Sequence, residues 1–262
     1  MGDNCITGGA WTWASARATG TSHIIAEKGC DDFGACTEVH APNGSALIAV
    51  VSDGAGSAEH SSIGARLTCS GFSRCAARFI RDAHSVADIS VEEVRQWIDD
   101  IRDQIIRVAE ARSAIPHSFA ATLVGSIIGS DHSIFVHVGD GASVFKSEEG
   151  QDWTIGTWPQ NGEYASTTYF VTDDPEPQFQ FQNIASRVTQ LALFSDGLER
   201  LALDFASRQP FSPFFDPLFK HVRKTTAGRD RLLSNSLRDF LNGTAVCERT
   251  DDDKTIILAR RL

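Results

Sequence analysis

Five times along this chain an acidic position stands where an apolar run meets a turn, and that recurrence limits the folds open to it. Residues 46–51 are apolar and break at Ser52-Asp53-Gly54-Ala55-Gly56. Residues 191–194 break the same way, at Ser195-Asp196-Gly197. Residues 135–138 end on Gly139-Asp140-Gly141. In mirror order, Asp251-Asp252-Asp253 precede the run 255–258, and Asp31-Asp32 stand where another strand begins. A short apolar run bounded by turn residues is the pattern of a buried strand. Glycine after the aspartate lets the backbone turn sharply and approach a ligand closely. Taken singly, each junction is an ordinary surface turn. Taken together they place carboxylates at several strand ends. Converging carboxylates repel unless a cation sits among them.

The rest of the chain is read in the same terms. Residues 10–18 alternate around Trp11 and Trp13, as a strand does. Residues 20–28 have the pattern of a turn and short strand, and 33–40 that of another strand. Pro42-Asn43-Gly44 is a turn into the central strand. Ile63, Leu67, Phe72, Ala76, Phe79 and Ile80 recur at helical spacing over 61–81. Ser90 and Glu93 form a capping-box pattern opening a second helix, with Val94, Ile98, Ile101, Ile105 and Val108 on one face. Residues 119–128, 133–138 and 142–146 read as consecutive antiparallel strands, with 153–155 continuing them. From 156 to 183 the chain is polar and proline-marked, which predicts a surface flap with one strand near 166–171. A strand over 187–195, a short helix over 197–205 and a helix-and-loop insertion over 210–220 follow. An amphipathic helix over 229–241 is expected to end on Asn242-Gly243 as its C-cap. Many meandering strands with two helical pairs predict an α+β fold, two packed antiparallel sheets with helices outside.

Composition excludes more than it selects. No linker divides the 262 residues, so a single domain over 1–262 is expected. A net charge of −10 argues against nucleic acid as a partner, and against a nuclease. Six cysteines without a CxxC pair argue against a zinc site. Reduced thiols, no signal-peptide pattern and no long apolar run point to a cytoplasmic protein without a membrane span. Asp and carbonyl ligands suit hard ions such as Mg²⁺ or Mn²⁺.

In their order, Cys30-Asp31-Asp32, Ser52-Asp53-Gly54-Ala55-Gly56, Val138-Gly139-Asp140, Phe194-Ser195-Asp196-Gly197 and Asp252-Asp253-Lys254-Thr255 resemble the metal-dependent Ser/Thr protein phosphatases of type 2C, above all the compact bacterial branch. The resemblance runs from about Thr21 to the last residue. It implies an α/β/β/α four-layer sandwich with its site at one edge of the two sheets. It further implies hydrolysis of phosphoserine and phosphothreonine by a water bridging two divalent metals, Mn²⁺ or Mg²⁺, with a third possible in bacterial relatives. Asp53 would bridge both metals, with Asp196, Asp252 and the Gly54 carbonyl as further ligands. Asp31 or Asp32 would reach the second metal, the choice between them open. Asp140 would hold the third, and Asp253 would stand behind the ligands. A phosphoprotein substrate, an opposing Ser/Thr kinase and a monomeric enzyme are implied as well.

Two departures mark this chain. Glu27 and Lys28 occupy the place where many relatives carry a phosphate-gripping Arg, so Lys28, His23 or Arg17, or the metals alone, would take the phosphate. Ala55 stands where eukaryotic relatives have a His, which leaves water or His60 to protonate the leaving group. A different class of function, a catalytically silent binding module of the same shape, would not need to retain mutually repelling carboxylates.

Overall fold

The computed structural model describes residues 11–42, 44–160, 168–222 and 227–262. The chain opens with β1 (Trp11–Ala18), the short helix α1 (Thr21–Ile25), and a hairpin of β2 (Phe33–Ala41) and β3 (Gly44–Ser52). Two long helices follow, α2 (Ser61–Arg81) and α3 (Val91–Ala111). Four strands come next: β4 (Leu123–Ile128), β5 (Ser133–Val138), β6 (Ala142–Ser147) and β7 (Thr154–Thr157). β8 (Gln180–Ile184) and β9 (Val188–Phe194) lead to α4 (Glu199–Ala202) and the paired β10 (Leu203–Asp204) and β11 (Gln209–Pro210). After these come α5 (Ser212–His221), β12 (Gly228–Arg229), α6 (Arg231–Leu241), α7 (Thr244–Cys247) and β13 (Lys254–Arg261).

The strands form two principal sheets. The first has the order β2-β3-β4-β5-β8 and is antiparallel throughout. The second has the order β12-β1-β13-β9-β6-β7 and is antiparallel except for the short parallel pairing of β12 with β1. Strand side chains alternate between faces. In β3, Leu47, Ala49 and Val51 pack between the sheets, while Ala46, Ile48 and Val50 pack under α2 and α3. Both faces are buried, which is why the run is apolar without interruption.

Three apolar layers follow, and they define four layers of structure. Phe72, Trp97, Ile101 and Val136 fill the first, between α2/α3 and the first sheet. Trp11, Phe135, Phe145, Leu191 and Ile257 fill the second, between the sheets. Phe194, Phe215, Leu237 and Leu258 fill the third, under α5 and α6. Each fully buried side chain of this size contributes about 1.5–3 kcal/mol. The expected α/β/β/α sandwich is the observed one.

Several local expectations are corrected. Residues 21–25 are helical instead of extended, because the Asp253 carboxylate takes the Gly20 N–H and the Asp251 carbonyl takes the Ser22 N–H, folding the segment back. β5 and β6 are not neighbours. Gly139, at φ 105°, carries the chain out of the first sheet, and β6 pairs with β9 and β7 in the second. A 3₁₀ turn at Pro116–Phe119 occupies the expected start of β4. No strand covers the described part of 166–171 (Ser166 and Thr167 lie outside the described residues, as does Asn43). Instead β8 forms at the edge of the first sheet, where one-sided exposure permits its polar sequence. The capping box of α3 is half-made. Ser90 accepts from the Glu93 N–H at 3.1 Å, but the Glu93 carboxylate accepts from the buried Trp97 indole instead of returning to Ser90. α6 ends without a left-handed residue, and Gly243, at φ −69°, caps α7.

Candidate metal centre

One carboxylate oxygen from each of Asp53, Asp140 and Asp196 lies within 4.8 Å of the others. The three come from different strand ends, and each is held differently. β3 delivers Asp53, whose N–H donates to Thr122 Oγ1 at 2.9 Å and whose carbonyl accepts the Thr122 N–H at 2.8 Å. Ser52 Oγ donates to the Thr122 carbonyl, and Gly54 bridges to Ala121. Asp140 sits at the crossing between sheets and accepts from Thr168 Oγ1 through Oδ2. Asp196 follows β9, and Ser195 beside it makes a clamp: its hydroxyl donates to Asp32 Oδ2 at 2.7 Å and accepts the Thr255 N–H at 2.9 Å. Gly197 is pressed against the Asp253 carbonyl, where a Cβ would come within 2.0 Å, so only glycine lets this turn pack on the start of β13.

The acidic pair separates. Asp32 is 1% exposed and accepts from the Ser195 hydroxyl, whereas Asp31 stands half-buried and gives its N–H to Asp253 Oδ2. Asp252 is exposed at the rim, where its charge acts on Asp140 and Asp196. The fully buried Lys254 ammonium donates to the Asp252 carbonyl. Asp253 directs its carboxylate to the Gly20 and Asp31 N–H groups and to His23 Nδ1 at 3.1 Å. His23 is therefore a partner of Asp253. Lys28 is exposed beyond α1. Arg17 is committed too, donating through Nη1 to the Asp32 carbonyl and lying over the Phe33 ring. The His60 ring packs on Phe119 at 4.9 Å.

The electrostatics match a site short of positive charge. Burial, then the charges of Asp32 and Asp196, hold Asp53 well above the usual carboxylate range. Burial, then Asp140 and Asp252, do the same to Asp196. Burial also raises Asp140, against the Thr168 hydroxyl, and pushes Asp32 up to about 6 against the lowering influence of Asp53 and of the Ser195 hydroxyl. Glu199 is pushed up to about 7 by burial and by Asp140. Asp140 Oδ1 and Asp32 Oδ1 are buried with no hydrogen-bond partner. Orphaned acceptors in a repelling oxygen cluster are what a hard cation relieves, so the residues fit Mg²⁺ or Mn²⁺. Burial, with Asp32 and Asp253 nearby, drives the Cys30 thiol far above its ordinary value, which removes it as a thiolate nucleophile.

Ser195, Thr122, Thr168 and Lys254 were not singled out from sequence. For Ser195 a signal was available: both Ser-Asp-Gly turns carry the serine, and in both it ties one strand end to the next. Thr122 and Thr168 lie in stretches read as strands, 119–128 and 166–171, where nothing marks their hydroxyls.

Comparison with known proteins adds an independent line. The family described as protein phosphatase 2C matches residues 19–242. A protein named serine/threonine-protein phosphatase 3, from Escherichia coli (strain K12), is 32% identical over 254 residues, covering 95% of this chain and 98% of that one. Among solved structures, the serine/threonine phosphatase Stp1 from Staphylococcus aureus superposes with a TM-score of 0.62 at 16% identity, over 100% of this chain and 99% of its own. The catalytic domain of the serine threonine protein phosphatase PstP, in complex with two manganese ions, superposes with a TM-score of 0.59 at 13% identity, over 96% and 98%.

Proposed function

Because this chain belongs to the protein phosphatase 2C family, we propose that its aspartate cluster is the catalytic metal centre of a protein serine/threonine phosphatase. The protein is a phosphoprotein phosphatase, a hydrolase of phosphoserine and phosphothreonine esters. The observation that carries the assignment of its centre is the convergence of Asp53, Asp140 and Asp196 around an unpartnered Asp140 oxygen. Two divalent cations, Mn²⁺ or Mg²⁺, are the fitting occupants, as in the manganese-bound PstP domain. Asp53 would touch both, with the Gly54 carbonyl, Asp196 and Asp252 completing one and Asp32, in preference to Asp31, on the other. Asp140 would serve a third. Bound cations supply a water acidic enough to attack phosphorus at neutral pH and neutralise the phosphoryl oxygens.

The chain's own residues prepare that step. Burial and repulsion by neighbouring carboxylates raise both Asp32 and Asp53, so each must be deprotonated before it can act as a ligand. Ser195 and Thr122 fix where the two stand. Asp253 with His23 anchors α1 and the loop to Asp31, so we assign His23 to positioning. Lys28, exposed on that flank, is the basic side chain left to approach the phosphate. Ala55 offers no proton, so the leaving hydroxyl draws its proton from solvent in the cleft. Attack is direct, without a phosphoenzyme.

A phosphorylated protein opposed by a Ser/Thr kinase is the partner this reading requires, and a cytoplasmic monomer its simplest form. No described helix is long and apolar enough to cross a membrane. Phosphoserine-peptide hydrolysis in Mn²⁺, lost with EDTA and in Asp53→Asn, is the test. Full turnover by Asp53→Asn would overturn the reading.

A further inference from the structure

Beside the aspartate cluster lies a recess of about 200 Å³ lined by Asp196 and Asp252, and by Arg200 and Arg249. The arginines are carried by the same segments as the aspartates. Arg200 sits on α4 just after the Ser195-Asp196-Gly197 turn, and Arg249 stands just before the acidic run into β13. Both are exposed, and among the described residues neither guanidinium makes a hydrogen bond or an ion pair. That is unexpected in a chain of net charge −10, with Glu199 and Asp251 in the same lining. An arginine without a hydrogen-bonded partner presents a planar fork of donors suited to an incoming oxyanion, even where, as at Arg200, its charge acts on the neighbouring Glu199.

Two observations bear on where that oxyanion would sit. The lining includes Asp196 but neither Asp53 nor Asp140, so an occupant sits at the edge of the cluster. The arginine on the other flank is committed, since Arg17 holds the Asp32 carbonyl. We propose that Arg200 and Arg249 form a specificity subsite for a second anion of the substrate, the carboxylate of an acidic residue flanking the phosphorylated serine or threonine. The inference rests on the phosphatase reading above. The two guanidiniums share the lining with four acidic side chains, and they give an acidic polypeptide a cationic contact on an acidic enzyme.

Matched phosphoserine peptides flanked by Glu or by Ala test it in two ways: by steady-state kinetics on the Mn²⁺-loaded enzyme, and by fluorescence anisotropy on Asp53→Asn. KM and Kd for the Glu peptide are expected about tenfold below those for the Ala peptide, the scale of one charge-assisted contact. In the double variant Arg200→Ala/Arg249→Ala the ratio falls to about one because KM for the Glu peptide rises, while Mn²⁺-dependent hydrolysis of p-nitrophenyl phosphate persists. Arg200→Lys/Arg249→Lys should recover part of the preference, having charge without the fork. No preference in the parent enzyme overturns the subsite, as does a preference that survives the double alanine variant. An equal loss on p-nitrophenyl phosphate by a variant with parental melting overturns it too, by placing the arginines on the phosphoryl group. If the parent enzyme hydrolyses nothing, the phosphatase reading fails, and the anisotropy ratio still decides the subsite.

Discussion

The two sheets supply the same centre by different means. Asp32, Asp53 and Asp140 stand at ends of first-sheet strands, and Asp196 and Asp252 at ends of second-sheet strands. On the first sheet two hydrogen bonds between adjacent strand ends do the holding, since Asp53 gives its N–H to the Thr122 hydroxyl and takes the Thr122 N–H on its carbonyl. On the second, one hydroxyl does it. Ser195 reaches across to Asp32 and at the same time takes the Thr255 N–H. Their helical covers differ likewise: α2 and α3 are 21 residues each, whereas α5 and α6 have 10 and 11 and are flanked by short pieces. The ladder-built half is fixed by the fold. The clamp-built half hangs on a single side chain, and it also carries the arginine recess.

The comparison breaks first at the ligands. Asp53→Asn and Asp196→Asn should each cost more than about 100-fold in kcat/KM, above the loss typical of residues outside the ligand set. A large loss in only one of them would mean that the centre is not shared between the sheets. Without metal, Asp53→Asn should melt above the parent, because a repelling charge is gone.

The clamp comes next. Ser195→Ala leaves the buried Asp32 Oδ2 without its donor, and should cost about 1–3 kcal/mol by thermal melting and about 10–100-fold in metal affinity. Thr122→Val keeps the Thr122 N–H bond to the Asp53 carbonyl and should cost about 1 kcal/mol. Equal effects would erase the distinction drawn between the two halves.

The pH dependence sharpens it further. Asp32, at about 6 in the folded protein, lies above its ordinary 3.8. A raised carboxylate gives stability that is full below the unfolded value and lost as pH rises through the folded one. The metal-free protein should therefore lose up to about 3 kcal/mol between pH 4 and roughly pH 7. Saturating Mn²⁺ should reverse the trend, since ligands bind deprotonated. Melting curves at both pH values, with EDTA or Mn²⁺, decide it. A metal-free Tm that climbs over this range would contradict the desolvated cluster.

The smallest effect is expected at Cys30. Cys30→Ser should retain activity within about twofold, since the half-buried thiol is held protonated. Complete loss in a folded variant would reopen a covalent mechanism.

Much of this was legible in sequence. The apolar run through Val50 and the turn at Asp53-Gly54 are local patterns, as are the 3.6-residue periodicity of α2 and the Ser90 cap of α3. What failed was non-local. Residues 133–138 and 142–146 look like one hairpin because a short turn joins them, yet Gly139 sends them into different sheets. Residues 180–184 look like loop because an edge strand exposes half its polar side chains. The flap expected over 156–183 therefore ends in a strand paired with β5.

By itself the sequence determined which residues could stand at strand ends, that their side chains are oxygen donors, and that this chemistry calls for hard cations. Those properties follow from nearest-neighbour patterns and side-chain chemistry. Tertiary structure alone decided that Asp32 is buried against Ser195 while Asp31 turns its N–H to Asp253, that His23 turns to Asp253, and that Arg200 and Arg249 share a recess with Asp196 and Asp252. The physical reason is that each placement is set by contacts between segments far apart in the chain, such as His23 with Asp253 and Asp32 with Ser195, which nearest-neighbour patterns do not encode.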